Sequence, residues 1–239
     1  MAYKFYNNSY KRKWSRPMPY SVINAIVVFL AIAAIAAILS RSTKQEKLNL
    51  ENTKKFCEKN NYEFIRNLKL EELPGKIKDF TIIQRHIGYK DFHSIVKGNY
   101  NGYDFMLLTF IYPGNHQTCG SLICLINKKD AKFPKFYLRD SKTLIDSLDK
   151  LLGKQEIKIT ANKDFSDKFL LQGANVEETQ NFFSESRQQA VIQEHVKGYE
   201  YEADEDYFVI SYPLSPSIPV EKYEALLTKT SSLLKKLEV

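Results

Sequence analysis

The chain is poor in cysteine: Cys57, Cys119 and Cys124 are the three in 239 residues. An odd number without regular spacing gives no disulfide framework and suits a reducing compartment better than an oxidising one. Three glycine-dependent motifs are missing as well. There is no phosphate-cradling loop, no dinucleotide fingerprint and no nucleophile elbow, so the backbone geometry those chemistries need has no sequence signal. Fixed-period repeats and low-complexity tracts are also absent. A charge excess is lacking over most of the length. The net charge is +7, but Lys4, Lys11, Arg12, Lys13, Arg16 and Arg41 lie in a stretch without a single Asp or Glu. Setting these six aside leaves 29 basic against 28 acidic residues. The folded part is near neutral, which removes the main support for nucleic-acid binding.

What the sequence does have is one long apolar run, Val22 to Leu39, interrupted only by Asn24. As a helix, eighteen residues rise about 27 Å, close to the hydrocarbon thickness of a bilayer. The run is longer than the roughly 7–15 apolar residues of a signal peptide, so the reading is an uncleaved, single-pass anchor in a cell membrane. The expected organisation is a basic flank over 1–21, a transmembrane helix over 22–40, a juxtamembrane helix over 41–60 and a folded domain over 61–239. Residues 22–39 would meet the lipid bilayer. Lys11, Arg12, Lys13 and Arg16 would meet anionic headgroups, with Trp14, Tyr20 and Tyr10 at the interface. Orientation is balanced. Five cations precede the run, and Arg41, Lys44, Lys47, Lys54 and Lys55 follow it. The cysteine usage alone tips the domain toward the cytoplasmic side.

Past the anchor, residues 44–60 read as a polar helix with Leu48, Leu50, Phe56 and Cys57 as sparse apolar positions, stopped by Asn60-Asn61. Tyr62 to Ile65 reads as a strand, Pro74-Gly75 as a turn, and Phe80 to Ile83 as an apolar run of either type. Asn101-Gly102 between Ser94–Tyr100 and Tyr103–Tyr112 predicts a type I′ hairpin, because both residues accept positive φ. The second of these strands is apolar on both faces, which marks a central strand covered on both sides. Pro113-Gly114-Asn115 turns the chain into a third strand, Ser121 to Ile126. Pro134 precedes a fourth, Phe136 to Arg139, and short connections predict one meander. Leu144, Ile145, Leu148, Leu151 and Leu152 share a helical face that ends at Gly153. Strands follow at Glu156–Thr160 and Phe169–Leu171, with Asp164 and Asp167 in a capped turn before the latter. Val176–Gln193 reads as one helix burying Phe182 and Phe183. Tyr199–Ala203 and Tyr207–Tyr212 form a hairpin around Asp204-Glu205-Asp206. A last helix begins near Pro219, its seam Tyr223, Leu227, Thr230, Leu234 and Leu237. The expected fold is therefore α+β: an antiparallel sheet of meander plus hairpins, helices layered on one face, and the N-terminal transmembrane helix ahead of it.

Chemistry is sparsely supported. His116, Cys119 and Cys124 do not have the paired-arm spacing of a zinc knuckle, and His86 or His93 would have to complete the set from a distance. Cys119 and Cys124 are an odd number of residues apart, so on one strand they face opposite ways. No metal or cofactor site is expected. A thiol nucleophile, Cys119 or Cys57, would need His116 or His195 as its base, and nothing in the sequence brings one near. The Ser-x-x-Lys matches at Ser94, Ser147 and Ser232 occur at chance frequency. The acidic triplet 204–206 reads as a solvated hairpin tip rather than a calcium loop.

Three segments together carry a resemblance: Val96-Lys97-Gly98-Asn99-Tyr100-Asn101-Gly102-Tyr103-Asp104-Phe105 with the apolar strand ending in Tyr112, Phe133-Pro134-Lys135-Phe136-Tyr137-Leu138, and Asp164-Phe165-Ser166-Asp167-Lys168-Phe169-Leu170-Leu171-Gln172-Gly173. With the tether, they resemble a family of bacterial single-pass membrane-anchored proteins carrying a domain of unknown function, over about residues 45–239. Family members carry their basic cluster just after the helix, whereas here cations also precede it. The resemblance implies the architecture and a bacterial membrane setting, and it brings no catalytic residue. The leading expectation is a membrane-tethered, non-catalytic α+β module for binding or assembly, with other membrane proteins as possible partners. The alternatives are a membrane-bound cysteine hydrolase using Cys119 or Cys57 with a histidine, and a homo-oligomeric scaffold joined through the C-terminal helix.

Overall fold

The structure, a computed structural model, describes residues 20–66, 68–85, 92–113, 118–129, 131–141, 155–159, 162–215 and 218–237. The chain divides into two compact units, Met1–Gln45 and Glu46–Val239. Helix α1, Tyr20–Asn60, is 41 residues long and contains the apolar run. Among the described residues no helix is long and apolar enough to cross a membrane. Before Lys47, the described side chains of α1 are Asn24, residues 27–33 and Lys44. The basic flank, including Lys11, Arg12, Lys13 and Arg16, lies outside the described residues, as do His86, His116 and the expected helix from Leu144 to Gly153.

The second unit is built on one nine-stranded sheet in the order β1-β2-β3-β4-β9-β8-β5-β7-β6. The strands are β1 Glu63–Arg66, β2 Ser94–Tyr100, β3 Tyr103–Pro113, β4 Thr118–Asn127, β5 Phe133–Asp140, β6 Gln155–Ile157, β7 Phe169–Gly173, β8 Glu200–Glu205 and β9 Tyr207–Ser215. Every pairing is antiparallel. The β2–β3 hairpin closes at Tyr100 opposite Tyr103, with Asn101 at φ 53° and Gly102 at φ 87°. Both residues take the left-handed conformation that the Asn-Gly pair was expected to supply.

The single meander is corrected. β4 pairs with β9, and β5 lies between β8 and β7. Strands apolar on both faces need cover on both faces and gather at the sheet centre. β3, β4 and β9 are of that kind, with Leu107, Leu108, Ile123, Cys124, Val209 and Ile210 all fully buried. The β8–β9 hairpin therefore inserts where β5 was expected. The Lys128 amide, just past β4, donates to the Asp206 carbonyl at 2.8 Å, which holds the departing chain against the hairpin tip.

The remaining helices are α2 Gly75–Lys78, α3 Thr81–Gln84, α4 Lys163–Lys168, α5 Val176–Phe182, α6 Glu185–Glu194 and α7 Glu221–Lys236. One face of the sheet, with Phe105, Leu107, Leu122, Cys124, Phe136, Leu138, Tyr201 and Ile210, packs against Cys57 of α1, Phe165 of α4, Phe182 and Phe183, Val191 of α6 and the apolar side of α7. The opposite face, with Ile95, Leu108, Phe110, Ile123, Leu125, Tyr137 and Val209, is covered by Leu73, Ile77, Phe80, Ile82, Ile83 and Phe92. Helices thus lie on both faces, not one. The second cover is the excursion between neighbours β1 and β2, called the strap below. Its apolar residues are too close together for a long amphipathic stripe, so α2 and α3 form only as single turns on the sheet.

The expected helix 176–193 is two helices. Phe183 leaves helical geometry at φ −81°, ψ 63°, which turns both Phe182 and Phe183 into the core. The carbonyls freed by the break are satisfied. Arg187 donates to Phe182 O at 3.0 Å and Gln188 donates to Phe183 O at 2.5 Å. Arg187 also lies over the Phe182 ring and caps the end of α7 through Leu237 O at 2.8 Å. The capped turn expected around Asp164 is α4, its first turn held by Asn162, which accepts from the Phe165 amide at 3.1 Å. The seam of α7, Tyr223, Leu227, Thr230, Leu234 and Leu237, is buried in the unit's own core. It is not free to form a coiled coil between copies.

Candidate functional site

Strand β8 alternates strictly. Tyr201 and Ala203 enter the core, while Glu200, Glu202 and Asp204 point to the strap side. Such alternation ordinarily places acids in water. Here they are held. Glu202, 1% exposed, accepts from the Thr81 hydroxyl at 2.8 Å and the Ile82 amide at 2.9 Å. It thereby satisfies an otherwise free donor in the first turn of α3 with a negative charge, the polarity a helix N-terminus favours. Arg85, just past α3, brings Nη1 to both oxygens of Glu200 at 2.8 Å, and its guanidinium lies 5.0 Å from the Tyr137 ring centroid. Lys76 of α2 pairs with Glu205, and Lys135 pairs with Asp204 at 2.9 Å. One strand therefore fastens the strap along its length. The acidic tip of the hairpin is partly paired rather than fully solvated, and Glu205 takes φ 50° to turn it.

A second polar centre lies where α6 ends. Nε2 of His195 is 2.7 Å from Oδ1 of Asp140, the last residue of β5, and the His195 side chain is 5% exposed. Oδ2 of the same carboxylate accepts from the Gly198 amide at 2.8 Å. A carboxylate only accepts, so Nε2 carries the imidazole proton and Nδ1 is a lone pair. That Nδ1 is buried without a hydrogen-bond partner. The ring stands edge-on to Phe169 with centroids 4.8 Å apart. Burial lowers the His195 pKa below its ordinary value; Asp140 opposes this, and Lys168 and Lys229 reinforce it. The Tyr201 hydroxyl, beside the Val196 amide but without hydrogen-bonding geometry to it, is buried nearby, and its pKa is raised chiefly by burial.

Among the described residues, those considered for chemistry are not brought together. Cys57 and Cys124 are buried free thiols. Burial pushes Cys57 up to about 11, with Glu58 adding to it, and Cys124 up to about 12. Neither is a thiolate near neutrality, which is the form a nucleophile needs. His195, a candidate base, is engaged by Asp140. Cys119 stands opposite Tyr112 in the β3–β4 ladder, and its side chain is not described. Among the described residues no group of three or more His, Cys, Asp or Glu could hold a metal ion. An open depression of about 680 Å³ beside the hairpin tip is lined by Lys129, Lys132, Glu178, Glu205 and Asp206. Its charges are mixed and do not converge. Asp140 carries no local sequence signal, and Glu202 stands out in the sequence only as an acid near the triplet 204–206.

Among the described residues, the exposed large apolar side chains are concentrated in the first unit. Val27, Val28, Phe29, Leu30 and Ile32 of α1 are 57–71% exposed. Successive helical residues are rotated by about 100°, so these five point to every side of the helix axis. A helix apolar all round belongs in a core or in lipid.

No family model matches the chain, and no curated protein matches it. Among solved structures, it is similar to the crystal structure of the mycobacterial trehalose monomycolate transport factor A, TtfA. The TM-score is 0.50 at 8% sequence identity, over 78% of this chain and 94% of that chain. At that identity the likeness shows the fold alone, an antiparallel sheet with helices in an α+β arrangement.

Proposed function

We propose that the chain is a membrane-tethered, non-catalytic module for binding or assembly, held as a single-pass protein by residues 22–39 of α1. The observation that carries this reading is the exposure of Val27 to Ile32 around the whole circumference of the helix. A protein partner covers one side of a helix; lipid surrounds it. Lys11, Arg12, Lys13 and Arg16 then meet anionic headgroups, and the tether raises the effective concentration of the folded unit toward other membrane proteins. The deeply buried thiols and the carboxylates engaged in fastening the strap are in keeping with a binding role. A transport-associated role agrees with the structural neighbour's being a transport factor, and the segments around Gly98, Phe136 and Phe169 support a bacterial membrane setting. The cysteine usage favours the cytoplasmic side for the folded unit.

The test is alkaline carbonate extraction of the full-length chain from expressing bacteria, beside the Phe29→Arg/Ile32→Arg variant. Each arginine near the middle of a span disfavours insertion by about 2.5–3.5 kcal/mol. The wild-type chain is expected in the pellet and the variant in the supernatant. Release of intact wild-type protein, or a mature product starting after residue 39, overturns the proposal.

A further inference from the structure

We propose that α1 pairs with α1 of a second copy inside the bilayer, the two joined by reciprocal hydrogen bonds between their Asn24 amides. The inference rests on the membrane reading above and adds a partner to it. Asn24 is the one polar residue in the apolar run from Val22 to Leu39, and its side chain is exposed on the helix surface. The midpoint of the run lies about 10 Å further along the helix axis. With a hydrocarbon half-thickness of about 15 Å, Asn24 stands about 5 Å inside the apolar layer. Lipid tails and aliphatic neighbours offer its amide neither a donor nor an acceptor, and the helix backbone uses its own groups in internal bonds.

A second copy is the partner that this one side chain specifies. An amide carries both donors and an acceptor, so an identical amide completes it, one bond running each way. Copies of one chain carry the same flanking charges and insert in the same sense, so their Asn24 residues reach the same depth. The neighbouring positions suit a parallel pair. At about 100° per residue, Val28 lies about 40° to one side of Asn24 and Ala31 about 20° to the other. Both are exposed. The steps of four and three continue in the sequence to Ile35 and Ile38. Such steps trace the seam along which two helices pack at a shallow left-handed crossing, and a single Asn in that seam sets register and partner number. Ala31, being small, lets the two backbones approach closely. Phe29 and Leu30 lie more than about 100° from Asn24, so pairing leaves their contact with lipid in place.

Energy transfer between full-length chains tests this, with donor and acceptor dyes at the N-terminus, in vesicles of phosphatidylethanolamine and phosphatidylglycerol. The wild type is expected to show transfer above that of random proximity, falling as lipid is added. Asn24→Leu keeps the run apolar and removes the amide. It is expected to need about tenfold more protein per lipid for the same transfer, the change that interhelical hydrogen bonds of this kind carry. Asn24→Gln keeps the amide and is expected to stay close to the wild type. Transfer no higher than random in the wild type overturns the pairing. So does a Leu variant that associates as well as the wild type, which would place the amide in interfacial water, or a Gln variant as weak as the Leu variant. Carbonate extraction of the same three chains separates this from the tether. With all three in the pellet, a failure belongs to the pairing alone; release of the wild type is a failure of the membrane reading, and the pairing falls with it.

Discussion

Replacing Glu202 measures how the strap is fastened. Its carboxylate is 1% exposed and accepts from Thr81 at 2.8 Å and from the Ile82 amide at 2.9 Å. Hydrogen bonds to an ionised acceptor contribute about 1.5–3 kcal/mol each. Glu202→Ala removes both and leaves a buried amide and a hydroxyl without this acceptor, so the expected loss is about 3–6 kcal/mol. That is a large share of the roughly 5–15 kcal/mol that holds a typical domain together. Glu202→Gln should behave differently. Its Oε1 can accept from the Ile82 amide while Nε2 donates to the Thr81 hydroxyl, which rotates to accept. Only the charge assistance goes, and the loss should be about 1–1.5 kcal/mol. Urea unfolding followed by far-ultraviolet circular dichroism separates the two. With a slope near 2 kcal/mol per molar, the Ala midpoint falls by about 1.5–3 M and the Gln midpoint by under about 1 M. A Gln variant as unstable as the Ala variant would show that the negative charge, not the acceptor geometry, fastens α3. An Ala loss below about 1 kcal/mol would refute the fastening altogether.

Two other outcomes are expected. Leu234 is fully buried in the core under α7; Leu234→Ala should cost about 2.7–5 kcal/mol and leave the sedimentation of the folded chain unchanged, and a drop in oligomer size would restore the scaffold reading. Cys57 and Cys124, buried and raised to about 11 and about 12, should resist an iodoacetamide probe at mildly acidic and neutral pH and label on unfolding. Rapid labelling of either thiol in the folded chain would reopen the thiol chemistry.

The pH dependence of stability follows from His195 with a definite sign. Its folded-state pKa is lowered, chiefly by burial, so between that value and the unfolded value near 6.5 the unfolded chain binds more protons. Stability from this group is complete above the unfolded value and is lost as the pH falls through it toward the folded one.

What could be read in the chain, and what could not, divides by sequence distance. Asn101-Gly102 needs only its own backbone preferences, and β3 shows its two-sided burial in ten consecutive residues. The α7 seam shows its face by spacing alone. The pairing of β4 with β9 has no local signal, because β5 is nearer in the chain and equally able to pair. The break at Phe183 was hidden because Val176–Gln193 has helical composition throughout, and it is the core's demand for two adjacent phenylalanines that interrupts it. His195 was considered as a base for a thiol. Its actual partner, Asp140, lies on β5 and reaches it only because β5 and β8 are neighbours in the sheet.

Strand β8 shows why one local rule misled. Charges on alternate residues mark the wet side of a strand when the sheet has one dry face. Read that way, 200–204 predicts water above β8 and no cover there. The strap reverses the inference by carrying the missing half of the pattern, Lys76, the Ile82 amide in the first turn of α3, and Arg85, each reaching an acid on the strand. Neither segment is informative alone. The strap looks like an undecided apolar run between charged residues, and β8 looks like one arm of a hairpin with an acidic tip. Their complementarity appears only when the two are laid together, and it gives the second cover a defined register that its apolar residues alone would not impose. A buried acid requires its own partner in a specific direction, whereas Ile77, Phe80 and Ile83 would pack nearly as well one residue to either side.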